Sequence, residues 1–443
     1  MSVFWCELAW LGESHVAAGV LVKLSGEKIT SVTEGVDQPP PHAQALRGLV
    51  IPGLANAHSH CFQRALRGRT HVARGSFWSW RDQMYALAKA LDPDSMRALA
   101  RATFAEMALA GVTLVGEFHY LHFGSGGMPY DDPNAMGAAV AQAASEAGVR
   151  LTLLDTCYLQ GGIGLEASAP QRRFCDRDVD AWVGRVERLG EGPSMRIGAA
   201  IHSVRAVDPV SAAVVAAWAN ARQVPLHAHV SEQPDENGAC MATYEMTPTG
   251  LLQNAGALSR RFTAVHATHV SQSDIEMLGG AGAYCCLCPT TERDLADGIG
   301  PARRLRDAGA RLTLGSDSNA MIEPFEEARA VELDERLASG LRGGHRGVDL
   351  LTAATATGYS SLGWREGGAI RPGVLADLVA VRLDGVRLVG ARWDELLDSL
   401  VFAGGAADVS DVVVGGRAIV RDGRHVSIDV TAELSAAIGR VLA

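Results

Sequence analysis

The chain has 443 residues, of which 47% are hydrophobic and 20% charged, a composition that is ordinary for a globular protein and excludes a disordered or fibrous one. Its formal net charge is -10 and it has no basic block, which argues against a nucleic-acid or anionic-membrane partner. Residues 1–22 lack the pattern of a signal peptide, and no apolar run approaches the roughly 20 residues of a membrane span. We therefore expect a cytoplasmic protein that does not depend on disulfides.

Short strands around a glycine turn, at residues 19–24 and 29–32, begin the chain. After them, short apolar strands alternate with longer Ala-rich helical stretches such as 209–222 and 323–337, which is typical of repeated βα units. Eight candidate strands follow this pattern, at residues 50–56, 112–118, 151–157, 196–201, 225–230, 262–266, 283–288 and 311–316. This α/β pattern predicts a closed (β/α)8 barrel. A doubly wound open sheet is the alternative, but no Gly-x-Gly-x-x-Gly follows any of the strands.

Beyond the predicted barrel, strands return without helices, at residues 376–381 and 411–423, the second with a Gly-Gly turn typical of a hairpin. We predict that both chain ends build one small β-sandwich domain. The predicted domains are a first sandwich part at 1–48, the barrel at 49–368, a second sandwich part at 369–426 and a C-terminal helix at 427–443.

Two histidines, His58 and His60, follow the first candidate strand directly. In an extended strand, positions i and i+2 point to the same face. Both imidazoles can therefore reach a single metal ion, for which neutral histidine is the commonest ligand. A pair of histidines also occurs as ordinary hydrogen-bonded polar residues, so the interpretation depends on the rest of the chain.

Polar residues follow several other strands of the predicted barrel, where the working residues of this fold lie. The fifth strand carries His227 and His229, the sixth ends in His266, and Asp317 follows the eighth. Three imidazoles and one carboxylate, from His58, His60, His229 and Asp317, would hold a borderline divalent metal with a position open to water. His227 faces the same side as His229, so the spacing leaves both possible; we prefer His229 because it lies nearer the strand tip.

Zinc is the metal that this ligand set favours first, with iron as the alternative. A metal held in this way lowers the pKa of a bound water towards about 7. Binuclear sites in such barrels often use a carboxylated lysine as a bridge, and the only lysines are Lys23, Lys28 and Lys89, none near a later strand end. We therefore expect one ion per chain.

Six segments of this chain resemble the amidohydrolase superfamily and, within it, the formimidoylglutamate deiminases of histidine degradation. They are AHSHCFQRA (57–65), SFWSWR (76–81), EFHYLH (117–122), HSVR (202–205), VHATH (265–269) and CPTTE (288–292). The first and last are shared widely in the superfamily, whereas SFWSWR and EFHYLH are similar to this one family. Residues 158–164, after the third barrel strand, depart from the family pattern.

This resemblance implies hydrolysis of N-formimino-L-glutamate to N-formyl-L-glutamate and ammonia by a homodimer. By similarity, Glu232, His266 and Asp317 handle protons and polarise the attacked carbon. A substrate with two carboxylates demands fixed cations, and guanidinium is suited to a bidentate grip. The predicted substrate-binding residues are Arg81 and Arg205, with hydrogen bonds from Gln63, Tyr120 and His202.

Two other functions compete with this one. A deaminase of an aromatic base such as guanine or cytosine could use the same metal site, but its pocket would need stacking and amide contacts in place of two arginines. A barrel that has lost catalysis would lack a ligand, and all four are present. Cys285 and Cys288 form a lone Cys-x-x-Cys without a second pair, which favours a buried strand over a zinc or redox site.

Overall fold

The computed structural model describes residues 2–71 and 77–442, and its strands form two separate sheets. The strands are β1 (Val3–Gly12), β2 (His15–Ser25), β3 (Lys28–Thr33), β4 (Gln44–Pro52), β5 (Leu54–Ser59), β6 (Val112–His119), β7 (Arg150–Cys157), β8 (Met195–Ile201), β9 (Leu226–Val230), β10 (Phe262–His266), β11 (Tyr284–Leu287), β12 (Arg311–Leu314), β13 (Leu378–Val381), β14 (Val409–Val414), β15 (Arg417–Arg421) and β16 (Arg424–His425).

Helices follow most of the strands from β5 to β12. The α-helices are α1 (Phe77–Ala90), α2 (Pro93–Leu109), α3 (Ala135–Ala147), α4 (Val179–Val186), α5 (Pro209–Arg222), α6 (Pro234–Tyr244), α7 (Pro248–Asn254), α8 (Gln272–Gly280), α9 (Pro289–Asp294), α10 (Ala302–Asp307), α11 (Pro324–Ser339), α12 (Gly347–Thr352), α13 (Gly358–Ser361), α14 (Leu396–Ala403) and α15 (Val430–Leu442). Short 3₁₀ turns lie at Cys61–Leu66, Ser125–Gly127, Gln171–Arg173, Trp393–Glu395 and Ala406–Asp408, and a π-helical turn at Ala353–Thr357. Within the described residues, no helix is long and apolar enough to cross a bilayer.

The predicted (β/α)8 barrel is confirmed. Strands β5 to β12 pair in chain order, and each neighbouring pair is parallel. A parallel bridge between Ser59, at the end of β5, and Asp317, just after β12, joins the first strand to the last. This contact closes the barrel at its carboxyl rim, where catalytic residues of the fold lie.

The predicted first barrel strand, residues 50–56, is wrong because it spans two strands of different sheets. Residues 50–52 end β4, which pairs with β1 and β13, and the barrel begins at Leu54. Gly53 marks the change of sheet, and a Cβ there would lie 2.1 Å from the Thr113 hydroxyl oxygen. The apolar run from Val50 to Ala55 is continuous in sequence because both strands are buried, which hides the break.

The other sheet is built from both chain ends, as predicted, in the order β16-β15-β14-β13-β4-β1-β2-β3. Its own core includes Phe4, Val22, Leu378 and Val413. The tail after residue 427 forms helix α15, which packs against α2.

A buried ion pair ties this terminal sheet to the base of the barrel. Arg150, at the start of β7, donates from Nε to Oδ2 of Asp377 over 2.8 Å, and their side chains are 1% and 0% exposed. The hydroxyl of Tyr359 donates to the same oxygen over 2.8 Å. Nη2 of Arg150 also donates to Oε2 of Glu27, an exposed residue, over 2.8 Å. Because the Arg150–Asp377 pair is shielded from water, removing either partner would leave the other as a buried charge with poorer compensation.

Candidate active site and metal centre

The four predicted metal ligands meet at the carboxyl rim of the barrel. Their ligand atoms lie within 4.8 Å of one another, and all four residues are buried. Nε2 of His58 and Nε2 of His60 each lie 3.2 Å from Oδ1 of Asp317, and Nε2 of His229 lies 3.2 Å from Nε2 of His58. Donors placed tetrahedrally about 2.0–2.1 Å from one centre are separated by about 3.3 Å. The spacing of these atoms therefore fits one metal ion.

Closure of the barrel itself brings Asp317 to the two histidines. The amide of Asp317 donates to the carbonyl of His58 over 3.0 Å, and the amide of His60 donates to the carbonyl of Asp317 over 2.9 Å. Gly315 allows this approach, since a Cβ there would lie 2.8 Å from both the Cβ and the carbonyl oxygen of His58.

The backbone at this rim has several non-glycine residues with positive φ, and three of them lie beside the predicted ligands and proton-handling residues or belong to them. Ser231, His266 and Asp317 have φ values of 52°, 68° and 42°, in the left-handed region that residues other than glycine rarely adopt. Each follows or ends a barrel strand and lies beside the ligand cluster. Such strain persists where the surrounding structure over-determines it, and it concentrates at functional sites.

Hydrogen bonds to main-chain carbonyls orient two of the imidazoles. Nδ1 of His60 donates to the carbonyl of Phe118 over 2.9 Å, and Nδ1 of His229 donates to that of His202 over 2.8 Å. Because the proton then sits on Nδ1, the Nε2 lone pair is free for a metal.

Electrostatics give this cluster the protonation states that metal binding requires. Burial lowers the pKa of His58 to about 3 and holds the pKa of His229 well below its usual value. Burial opposes the charge of Asp317, but hydrogen bonds with His58 and His60 hold its pKa well below the usual range. His58 and His229 therefore present neutral imidazoles, and Asp317 a carboxylate, to a divalent cation.

The two histidines of β9 have different surroundings. His229 belongs to the ligand cluster, whereas His227 is fully buried and its Nε2 lies 3.3 Å from the carbonyl of Ser361. The structure thus places His229, and not His227, where the sequence left both possible.

His266 and Glu232 lie beside the cluster, as the sequence predicts for residues that handle protons. Nε2 of His266 lies 3.8 Å from Oε1 of Glu232 and 3.9 Å from Oδ2 of Asp317. On its other side, Nδ1 of His266 donates to Glu292 over 3.3 Å, and Glu292 also accepts the amide of Cys288 over 2.9 Å. Burial disfavours the imidazolium, but the surrounding carboxylates raise the pKa of His266 to about 10.

A cavity of about 370 Å³ borders the cluster and is lined by all five predicted substrate-binding residues. This volume suits a small molecule. Its walls also include aromatic residues that are not among the predicted substrate-binding residues, namely Phe77, Trp78, Trp80, Tyr85, Tyr158 and Phe174. Gly161, Gly162 and Ile163, from the segment that departs from the family pattern, line it too.

Arg81 reaches the cavity from α1, between two aromatic rings at helical spacing. Its guanidinium carbon lies 4.4 Å from the ring centre of Trp78 and 5.4 Å from that of Tyr85. Across residues 2–71 and 77–442, no carboxylate lies within 4.0 Å of its nitrogens, and its buried Nε has no hydrogen-bond partner. Aromatic faces hold a cation without neutralising it, so Arg81 is available to an anion.

Arg205, by contrast, is held by two carboxylates. Its Nη2 donates to Oε2 of Glu232 over 2.7 Å, and its Nε lies 3.6 Å from Oε2 of Glu236. Burial opposes its charge, but these carboxylates raise the pKa of Arg205 above its usual value. Glu236 is not among the residues predicted from the sequence, although its position four residues after Glu232, at the start of α6, was an available signal.

Gln63, Tyr120 and His202 complete the predicted set. Nε2 of Gln63 donates to the hydroxyl of Tyr120 over 2.8 Å, and its buried Oε1 has no partner in the described part of the chain. His202 lines the cavity and also orients His229 through its carbonyl.

Only some of the described residues in the motifs that carry the family resemblance line the cavity. Of EFHYLH, Tyr120 lines the cavity, whereas His119 and His122 do not; Nε2 of His122 donates to the carbonyl of Thr156 over 2.9 Å. Ser76 of SFWSWR lies outside the described residues. Cys285 and Cys288 are buried as predicted, although Cys288 groups with His266 and Glu292 in a second trio of ligand-type atoms.

A barrel with a three-histidine, one-aspartate cluster at its carboxyl rim defines a metal-binding barrel enzyme. The chain belongs to the Amidohydrolase family, whose sequence profile matches residues 49–419. It is 37% identical over 439 residues to a formimidoylglutamate deiminase from Pseudomonas aeruginosa, which covers 96% of each chain. It is 29% identical over 433 residues to an 8-oxoguanine deaminase from the same organism, covering 94% of this chain and 92% of that one. The crystal structure of an amidohydrolase from Brucella melitensis superposes with a TM-score of 0.90 at 34% identity, covering 100% of each chain.

Proposed function

We propose that this chain hydrolyses N-formimino-L-glutamate to N-formyl-L-glutamate and ammonia. The observation that carries the proposal is a cavity with two arginines, Arg81 and Arg205, next to the ligand cluster. A substrate with two carboxylates needs two such cations, whereas an aromatic base needs none. The greater similarity to the formimidoylglutamate deiminase than to the 8-oxoguanine deaminase supports the same choice.

The reaction adds water across the amidine carbon and expels ammonia, so that R–NH–CH=NH and H₂O give R–NH–CHO and NH₃. Glu232 accepts a proton from the attacking water and delivers it to the leaving nitrogen. His266, held by Glu292 and charged, polarises the group at the attacked carbon. Asp317 assists proton transfer, since its Oδ2 lies 3.9 Å from Nε2 of His266.

We assign one zinc ion to His58, His60, His229 and Asp317, with iron as the alternative. When bound, the metal supplies Lewis acidity and lowers the pKa of water in its coordination sphere. The fit rests on the Nε2 atoms of His60 and His229, whose Nδ1 atoms donate to carbonyls, on the carboxylate of Asp317 and on the spacing described above.

Position in the cell and assembly belong to the same proposal. The chain acts in the cytoplasm as a homodimer in histidine degradation, on a small dicarboxylate and without nucleic-acid or membrane partners. The net charge of -10 and the composition support the choice of a small-molecule partner.

An ammonia-release assay tests this function. The purified protein is offered N-formimino-L-glutamate, its aspartate analogue, guanine and 8-oxoguanine, before and after treatment with a chelator. We expect turnover of the glutamate compound, loss of it after chelation and recovery on adding zinc. Turnover of a base in preference to both formimino compounds would overturn the proposal.

A variant of Arg81 tests the dicarboxylate specificity. Hydrogen bonds to charged groups contribute about 1.5–3 kcal/mol, so Arg81→Met should lower kcat/KM by roughly 10- to 150-fold. Most of this loss should appear in KM, because the arginine binds the substrate far from the reacting carbon. Arg177→Met, at an exposed site outside the cavity, is the matched control. An unchanged kcat/KM in the Arg81 variant would remove the arginine from substrate binding.

A further inference from the structure

The two arginines of the cavity differ in their charge balance. Arg205 is neutralised by Glu232 at 2.7 Å and approached by Glu236 at 3.6 Å, whereas Arg81 rests on aromatic rings. Glu236 is 2% exposed and Glu232 6% exposed, so water screens neither carboxylate well. An incoming anion therefore finds Arg81 free and Arg205 already occupied.

The residue that occupies Arg205 is also the one that must move protons. Oε2 of Glu232 accepts the guanidinium, while its Oε1 lies 3.8 Å from Nε2 of His266. A carboxylate that accepts a short charge-assisted hydrogen bond is held in the orientation that this bond requires, with one oxygen occupied by the donor. In the structure as it stands, Glu232 is thus held in an ion pair that opposes its catalytic task.

The chemistry of the substrate identifies which of its groups meets Arg205. The formimino nitrogen is attached to the carbon that carries the α-carboxylate, so this carboxylate must lie close to the ligand cluster when the formimino carbon does. Arg205 is the guanidinium that contacts Glu232 beside the cluster. The side-chain carboxylate, three carbons further on, is left for Arg81.

We propose that the α-carboxylate of the substrate displaces Glu232 from Arg205, and that this exchange frees Glu232 for proton transfer. The inference rests on the proposed function and deepens it. One charge-assisted pair replaces another at Arg205, and the freed Glu232 still faces His266, whose Nε2 lies 3.8 Å from its Oε1. Glu236 stays in place beside the guanidinium and acts as its positioning residue while the partners change. A substrate therefore activates the base only if it carries a carboxylate next to the reacting nitrogen.

Two analogues, each lacking one carboxylate, test the exchange on the unaltered protein. N-formimino-4-aminobutyrate lacks the α-carboxylate, and N-formimino-L-2-aminobutyrate lacks the side-chain carboxylate. Because general-base catalysis contributes about 10²–10⁴-fold, the first compound should lose about 100-fold or more in kcat at saturation. The second should keep kcat within about threefold and show a raised KM, as expected for lost uniform binding.

Chemical rescue separates base activation from poor positioning of the substrate. Acetate added to N-formimino-4-aminobutyrate should raise kcat at saturating substrate, because it can take the place of the missing carboxylate at Arg205; chloride at equal ionic strength is the control. If the loss appears in KM alone, or if acetate has no effect on a lowered kcat, the exchange is wrong. Failure to turn over N-formimino-L-glutamate itself would instead refute the proposed function, and the exchange with it.

Discussion

Replacing His229 with asparagine should remove the metal from the protein, whereas the same change at His227 should leave it bound. The two residues lie on one face of β9, two positions apart, and both are buried. Only His229 offers a ring nitrogen to the ligand cluster. The pair therefore allows one chemical change to be compared at a ligand and at a neighbour that is not one.

The size of the effect follows from the ligand count. Binding of zinc to four protein ligands is worth about 10–16 kcal/mol in apparent free energy, which is roughly 3 kcal/mol for each ligand. Loss of His229 should thus weaken metal binding about 100-fold or more. His227 makes only a 3.3 Å contact with the carbonyl of Ser361, so its replacement should cost about 1 kcal/mol of stability and no metal affinity.

Metal content is the direct measurement. Both variants and the parent are dialysed against the same buffered free zinc concentrations, freed of loose metal by gel filtration and analysed by mass spectrometry, with near-ultraviolet circular dichroism to show that they are folded. A folded His227 variant without metal, or a folded His229 variant that binds zinc as tightly as the parent, would refute the ligand assignment.

Three other predictions concern packing, pH and the domain interface. Gly315→Ala should lower both metal affinity and thermal stability, since its Cβ would clash with His58. Gly190→Ala is the control and should change neither, because a Cβ there meets nothing within 4 Å. Equal behaviour of the two variants would contradict the close approach of Gly315 to His58. Burial and the nearby Glu232 raise the pKa of Asp297 to about 8. Between about pH 4 and pH 8 the folded metal-free protein therefore holds a proton that the unfolded chain has released. The free energy of unfolding should thus fall as pH rises through this range. In Asp297→Asn, denaturation midpoints measured across pH 4–8 should lose that part of the slope, and an unchanged slope would exclude Asp297 as its source. Asp377→Ala should destabilise the protein by about 3 kcal/mol, because buried Arg150 keeps only the exposed Glu27 as a carboxylate partner. The double change Arg150→Met with Asp377→Leu should recover most of this loss in chemical denaturation, and no recovery would show that packing, not charge, sets the cost.

The barrel and the metal ligands were accessible from the sequence because both depend on short-range patterns. Period-two histidines at a strand end and alternation of strands with helices report local geometry, and the fold rule then assigns the active rim. His58, His60 and Asp317 could be placed together by this reasoning without knowledge of any contact between them, whereas the spacing left His227 and His229 both possible as the third histidine.

What the sequence could not give depends on contacts between distant segments. The change of sheet at Gly53 is hidden because strands buried on both faces have the same apolar pattern in either sheet. The pairing of Arg205 with Glu232 and Glu236 involves residues 27 and 31 positions away, which the parallel pairing of β8 with β9 brings together. Likewise, whether His119 and His122 line the cavity depends on the direction of their side chains from β6 and the loop that follows it. The spacing of residues in the sequence does not determine this direction.

The seam between the first and last barrel strands has a thermodynamic consequence. Because the main-chain bonds that shut the barrel are made by the same residues that hold the ion, a cation that binds only the closed ring must also favour closure. At a free zinc concentration 100 times its dissociation constant, this linkage amounts to about 2.7 kcal/mol of added resistance to unfolding. The amide protons of residues 60 and 317 should then exchange with solvent more slowly as the free zinc concentration rises. The opening of β5 from β12 would therefore depend on how much zinc is available to the protein.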